Sequence, residues 1–156
     1  MKRKIKCRGL GYEGIWYFGS IWKDKNDNYY IIDIDDERHL VIEETIGEFI
    51  NVYDNLSKEI YEGDIIEQPN GGEFDWGTKN VVVLWSDITS GWATCYTTVN
   101  KENNSKQLHE DKIESGGLWR DYGEKLGVPF RKNMFMYQVV GNIYENLELT
   151  PIIFIK

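Results

Sequence analysis

Short runs of β-branched and aromatic residues, each of strand length and each bounded by polar turn residues, recur along most of the chain. Runs this short, closed at both ends by turn chemistry, do not make buried helices, and they set the chain toward an all-β fold. Lys4–Arg8 alternates polar and apolar positions as a half-buried strand does. Ile15–Trp22 and Asn28–Ile34 flank the polar loop Lys23–Asp27, which predicts a hairpin. His39–Ile42 reads as a short strand, and Ile60–Ile66 as strand, turn at Gly63-Asp64, and strand again. Val81–Trp85 is the most continuous apolar run and predicts a buried strand, joined to Trp92–Val99 across a turn at Asp87–Gly91. Met134–Ile143 is the last long strand expected.

Ser105–Gly127 breaks this pattern. It lacks a sustained period of two, and Leu108, Lys112 and Ile113 fall on one helical face. Gly116, Gly117 and Gly123 would interrupt any helix. The segment is therefore expected to be an inserted loop with one or two helical turns, entered through the polar stretch Asn100–Lys106. Pro69–Gly72 reads as a loop and Pro151–Lys156 as a closing strand or tail.

A chain of 156 residues, 41% hydrophobic and 28% charged, suits one globular domain with at most a small appended module. No apolar run approaches the roughly 20 residues of a membrane span. The basic start Met1–Arg8 is not followed by an apolar stretch, and Cys7 and Cys95 make neither a disulfide framework nor a zinc quartet. These features set the expectation of a cytoplasmic protein without a membrane partner. The net charge of −8 is unevenly spread: residues 33–75 carry 14 acidic against two basic side chains. Five bases, Lys2, Arg3, Lys4, Lys6 and Arg8, crowd the start. The acidic middle argues against that region lying on a nucleic-acid backbone.

Several motifs touch on known chemistry. Gly9-Leu-Gly11-Tyr-Glu-Gly14 spells G-x-G-x-x-G, but Ile15–Phe18 behind it is a poor helix start, so the glycines are expected in a hairpin turn. Asp24-x-Asn26-x-Asn28 resembles the start of a calcium loop, yet the sixth position is Tyr29 and the twelfth Asp35, so a hairpin tip is expected. Alternation splits Asp33 and Asp35 from Asp36, and the cluster they form with Glu37 reads as a solvated strand end. His39 and His109 have no Cys, Ser or His beside them at ligand or triad spacing. No catalytic residue, metal ligand or cofactor is assigned. Trp85, Trp92 and Tyr96 on a hairpin, with Trp119 and Tyr122 in the insertion, suit either the filling of a small barrel or an aromatic groove for peptides or nucleobases.

Four blocks, taken in order, resemble the YopX family of phage and prophage proteins. Lys6-Cys7-Arg8-Gly9 is similar to that family's opening K-F-R-G, and Trp16-Tyr17-Phe18-Gly19-Ser20 to its W-V-Y-G-S. Lys58–Ile66 reproduces its K-E-I-Y-E-G-D-I-V almost without change, and Val139–Leu149 is similar to V-I-G-N-I-Y-E-N-P-E-L-L with Leu147 in place of Pro. The turn before the central block departs from the family pattern, with Asp54 alone retained from it. The resemblance implies a β-rich fold with an SH3-like barrel, a phage or prophage origin and a bacterial cytoplasm, and it implies no activity.

The expected architecture is an N-terminal β segment over residues 1–52, an SH3-like barrel over 53–150 with an insertion at about 100–130, and a strand or tail over 151–156. The expected function is a non-enzymatic module that binds a host or phage protein, with Glu59, Glu62, Asp64, Trp92 and Trp119 as partner-contact residues. Nucleic-acid binding through the basic start and the aromatics is one alternative. A metal-dependent enzyme built on the acidic residues is another, and self-association stays open.

Overall fold

The computed structural model describes residues 5–69, 78–88, 90–99, 106–112 and 137–149. Among these residues the chain is mainly β, with eleven strands and two single-turn 3-10 segments at Glu43–Thr45 and Leu147–Leu149. The strands are β1 (Cys7–Leu10), β2 (Trp16–Lys23), β3 (Tyr29–Ile32), β4 (Arg38–Val41), β5 (Gly47–Tyr53), β6 (Glu59–Tyr61), β7 (Asp64–Pro69), β8 (Thr78–Ser86), β9 (Gly91–Val99), β10 (Lys106–Lys112) and β11 (Gln138–Asn142). They form two antiparallel sheets, ordered β4-β3-β2-β1-β5-β6 and β10-β9-β8-β7-β11.

One turn, used four times, builds most of the first sheet. At Gly11–Ile15, Asp24–Asn28, Asp33–Glu37 and Asp54–Lys58, the first residue's N–H donates to the fifth carbonyl and the fourth N–H donates back to the first carbonyl. The fourth residue is left-handed each time: Gly14 at φ 83°, Asp27 at 65°, Asp36 at 61° and Ser57 at 65°. This is a three-residue hairpin loop with a bulge, whose twist matches that of the strands it joins. In the three turns that begin with Asp, the carboxylate accepts the third and fifth N–H groups and fixes the loop. The Asp24 and Asp33 carboxyls are accordingly held below the ordinary range, first by the side chains of Asn28 and His39. A carboxyl lowered on folding adds stability above its ordinary value and loses it as pH falls further, so these turns weaken in acid.

Asp54 goes further than the others. It is buried, and its second carboxylate oxygen accepts the N–H of Val139 in β11, so it ties the β5–β6 tip to the second sheet. Asp54→Ala leaves three N–H groups without an acceptor, and it is expected to lower stability by about 2–4 kcal/mol in urea unfolding. Asp24→Ala, at an exposed tip with no tie to the second sheet, should cost clearly less than Asp54→Ala.

The first sheet curls until Val41 forms a bridge with Gly11 and Ile42 N–H donates to the Leu10 carbonyl. Cys7, Ile31 and Val41 fill the concave side, with Tyr17, Tyr29 and Ile46 packed around them. A second core joins Ile50 and Ile60 of the first sheet to Ile66, Val81, Val83 and Tyr137. Val81, Val82 and Val83 are all buried, so β8 is covered on both faces, as its continuous apolar run requires. Cys7 and Cys95 are both buried, and neither forms a disulfide among the described residues.

Two expectations are corrected. Lys106–Lys112 forms no helical turn: it is the edge strand β10, paired with β9 from Lys106 opposite Val99 to Lys112 opposite Ala93. The open edge of β9 offers a full ladder of hydrogen bonds, and the charged residues that looked helical are those an edge strand carries. The described strands also close no barrel. After β6 the chain crosses at Glu62-Gly63 to the other sheet, so β6 pairs with β5 while β7 pairs with β8 and β11. Position 52, expected to end the N-terminal segment, lies inside β5. The loop at residues 70–72, the rest of the insertion and the tail at 151–156 fall outside the described residues.

Candidate functional site

The crossing between the sheets gathers the densest set of polar and aromatic side chains. Arg8 on β1 reaches it, with Nη1 donating to Asp64 Oδ1 at 2.5 Å and Nη2 to the Glu62 carbonyl at 3.1 Å. Asp64 Oδ2 accepts the Tyr61 N–H at 2.8 Å. The guanidinium lies over the rings of Trp16 and Tyr61, 4.8 and 5.2 Å from their centroids. Arg8 and Asp64 are only 6% and 1% exposed, and Arg8 Nε has no protein acceptor among the described residues. Burial pushes the Asp64 carboxyl up, and the pull of Arg8 and the Tyr61 amide does not cancel it.

The end of β11 closes the seam. Asn142 Oδ1 accepts the N–H groups of Tyr144 and Glu145, and Asn142 Nδ2 donates to Glu145 Oε2. The same oxygen accepts Trp16 Nε1–H at 2.9 Å. Gly63 N–H donates to the Val83 carbonyl, and the Gly63 carbonyl accepts Ile143 N–H. Gly63 has φ 82°, and a Cβ there would meet the Tyr144 ring at 3.1 Å. Six strands and two loops thus meet at one corner.

The sequence matches the family described as YopX protein over residues 12–118. The chain belongs to the YopX family. A search of curated proteins found no match. The matched span of this YopX chain holds the blocks Trp16–Ser20 and Lys58–Ile66, while the resembling blocks around Arg8 and Asn142 lie outside it. All four nevertheless converge on the seam, through Arg8, Trp16, Glu62-Gly63-Asp64 and Asn142–Glu145.

Of the residues expected to contact a partner, Glu59, Glu62 and Asp64 lie in or beside the seam, and Trp92 lies apart from them. Asp64 is the buried half of the seam. Glu59 is half-buried, accepting Lys6 Nζ and the Tyr61 hydroxyl, each at 2.6 Å. Burial and then Glu59 push that phenol well above its ordinary range. Trp92 packs on the second core and meets Trp85 edge to face, with centroids 5.3 Å apart. Trp119 lies outside the described residues.

Glu62 is half-buried, and desolvation lifts its carboxyl, with Glu48 adding to the rise and the Trp85 and Glu48 N–H groups opposing it. A carboxyl raised on folding weakens the fold above its folded pKa, and that cost vanishes below its ordinary value. Glu62→Gln is therefore expected to melt about 1–3 °C above the parent at pH 7. The gap should close as pH falls toward 4, which calorimetry across pH will read.

A second constellation sits at the β3–β4 tip. His39 Nε2 lies 2.8 Å from Asp33 Oδ2, and its ring stacks on Tyr17 with centroids 3.8 Å apart and planes at 6°. Tyr17 donates to Glu13. One ligand atom each from Asp33, Glu37 and His39 lies within 4.8 Å of the others, a set able in charge and donor type to hold a divalent cation. Both Asp33 oxygens are already engaged, one by turn amides and one by His39. Sequence reasoning placed Asp33 and Glu37 together but missed His39, which hairpin register brings opposite Ile31.

The third feature is the convex face of the first sheet. Register aligns Trp22, Tyr30 and Leu40 in one row across β2, β3 and β4, with Ile32 and Arg38 in the next. Phe18, Trp22 and Leu40 are 43%, 39% and 42% exposed, and the Arg38 guanidinium lies 4.6 Å from the Trp22 ring centroid.

Proposed function

We propose that this YopX-family protein is a non-enzymatic protein-interaction module that binds a host or phage protein in the bacterial cytoplasm. Small β domains, SH3-like ones among them, commonly bind through a face or groove on a rigid frame. In this reading the seam is the frame. Its polar groups answer one another across the two sheets and leave little to offer a ligand.

The observation that carries the reading is the convex aromatic face. Trp22, Phe18 and Leu40 stand partly exposed on one side of the sheet, beside Tyr30 and Ile32. Large apolar side chains grouped on one sheet face mark an interaction site more often than a bare surface. The test is affinity capture from host lysate, followed by purification of the captured protein and its reconstitution with the full chain. A complex of defined stoichiometry in light scattering is expected. Failure of every captured protein to reassemble would overturn the reading.

A further inference from the structure

Electrostatics around the convex face narrows what can lie on it. Residues 24–44 hold eight acidic side chains against Lys25 and Arg38. The Lys23–Asn28 tip is charge-balanced, with Lys23 paired to Asp27 and Lys25 offsetting Asp24. The Asp33–Glu37 tip at the opposite end of the β2–β3–β4 meander instead carries four acids, and Glu43 and Glu44 follow β4. Asp35, Asp36, Glu43 and Glu44 make no salt bridge among the described residues, and Asp35, Asp36, Glu43 and Glu44 are all exposed.

Phosphate backbones and anionic lipid headgroups are repelled by such a rim. A second copy of this chain would bring the same acids against themselves, and like charges set face to face disfavour that pairing. A polypeptide with Lys or Arg between apolar side chains suits both parts of the surface. Its apolar residues cover Trp22, Tyr30 and Leu40, while its cations meet the acids of the Asp33–Glu37 tip and Glu43-Glu44. Arg38, which lies over the Trp22 ring, is a single cation beside the exposed acids Asp35, Asp36 and Glu37 of the adjoining tip.

We infer that the convex face of β2, β3 and β4 docks a basic, apolar-patterned segment of a protein partner. This rests on the interaction-module reading and adds the partner's chemistry. The rim steers the encounter, and the aromatic row supplies the hold.

The experiment uses the full chain and three fluorescein-labelled synthetic peptides of equal length: alternating Lys-Leu, alternating Glu-Leu and alternating Lys-Ser. Anisotropy titrations are run at 0.15 and 0.5 M salt. The Lys-Leu peptide is expected to bind at least tenfold more tightly than either other peptide, and to weaken severalfold at high salt. Trp22→Ala and Leu40→Ser should each weaken it about tenfold, while the distant Trp85→Ala should not. Asp35→Lys with Glu44→Lys, on exposed positions that leave the aromatic row intact, should weaken it and flatten the salt dependence.

Equal binding of the Lys-Leu and Lys-Ser peptides, or indifference to Trp22→Ala and Leu40→Ser, overturns the inference. So does preference for the Glu-Leu peptide, or no binding at all. In each of those cases a reconstituted complex in the capture experiment would leave the interaction module standing with its partner elsewhere.

Discussion

Arg8→Ala is expected to cost about 3–5 kcal/mol of stability, enough to unfold much of the population near body temperature. The substitution leaves Asp64 buried without its cation, and burial already pushes that carboxyl up with Arg8 present. It also removes the guanidinium that joins the rings of Trp16 and Tyr61. The double variant Arg8→Met with Asp64→Asn should recover more than half of the loss, because no uncompensated charge stays buried and the amide oxygen still accepts the Tyr61 N–H. Urea unfolding of the two single variants and the double variant reads the coupling directly. If the single variants cost less than about 1 kcal/mol, the pair does not hold the corner.

Gly19→Ala should be the second large effect, at about 3 kcal/mol. A Cβ on Gly19 would lie 1.9 Å from the Ile32 carbonyl oxygen and 2.7 Å from its carbon. Both atoms are backbone in the neighbouring strand, so relief requires β2 and β3 to part. Ser20→Ala, one position along and exposed, should change stability by no more than about 0.5 kcal/mol. Chemical denaturation checks both, and near-ultraviolet circular dichroism should show the aromatic face disturbed in the glycine variant alone.

Strands and hairpins were legible because alternation and turn chemistry are local. The Lys23–Asp27 and Asp87–Gly91 connections and the buried run at Val81 all follow from residues adjacent in sequence. The four-fold repeat of one turn was less visible, since Gly11-Tyr-Glu-Gly14 and Asp54-Asn-Leu-Ser57 share a backbone path but few side chains. Strand β10 was misread because its composition suits a helix and only the free edge of β9 decides otherwise.

The seam was hidden for a different reason. Arg8 meets Asp64 across 56 positions, and Trp16 meets Glu145 across 129. No periodicity reports such pairings, so Arg8 read as one of five bases at a charged start. Asp64 read as a surface acid because a buried carboxylate looks like any other in sequence. The blocks that resembled a family did point to the right residues, while giving no hint that they share one corner.

The most direct test of the account follows the tryptophan indole N–H signals by NMR while the reconstituted partner is added. Trp22 stands on the proposed contact face, whereas Trp16 is tied to Glu145 inside the seam. The Trp22 signal, assigned by its loss in Trp22→Ala, is expected to shift on binding while that of Trp16 stays in place. A shift confined to Trp16 would place the partner on the seam and contradict the division between frame and contact surface.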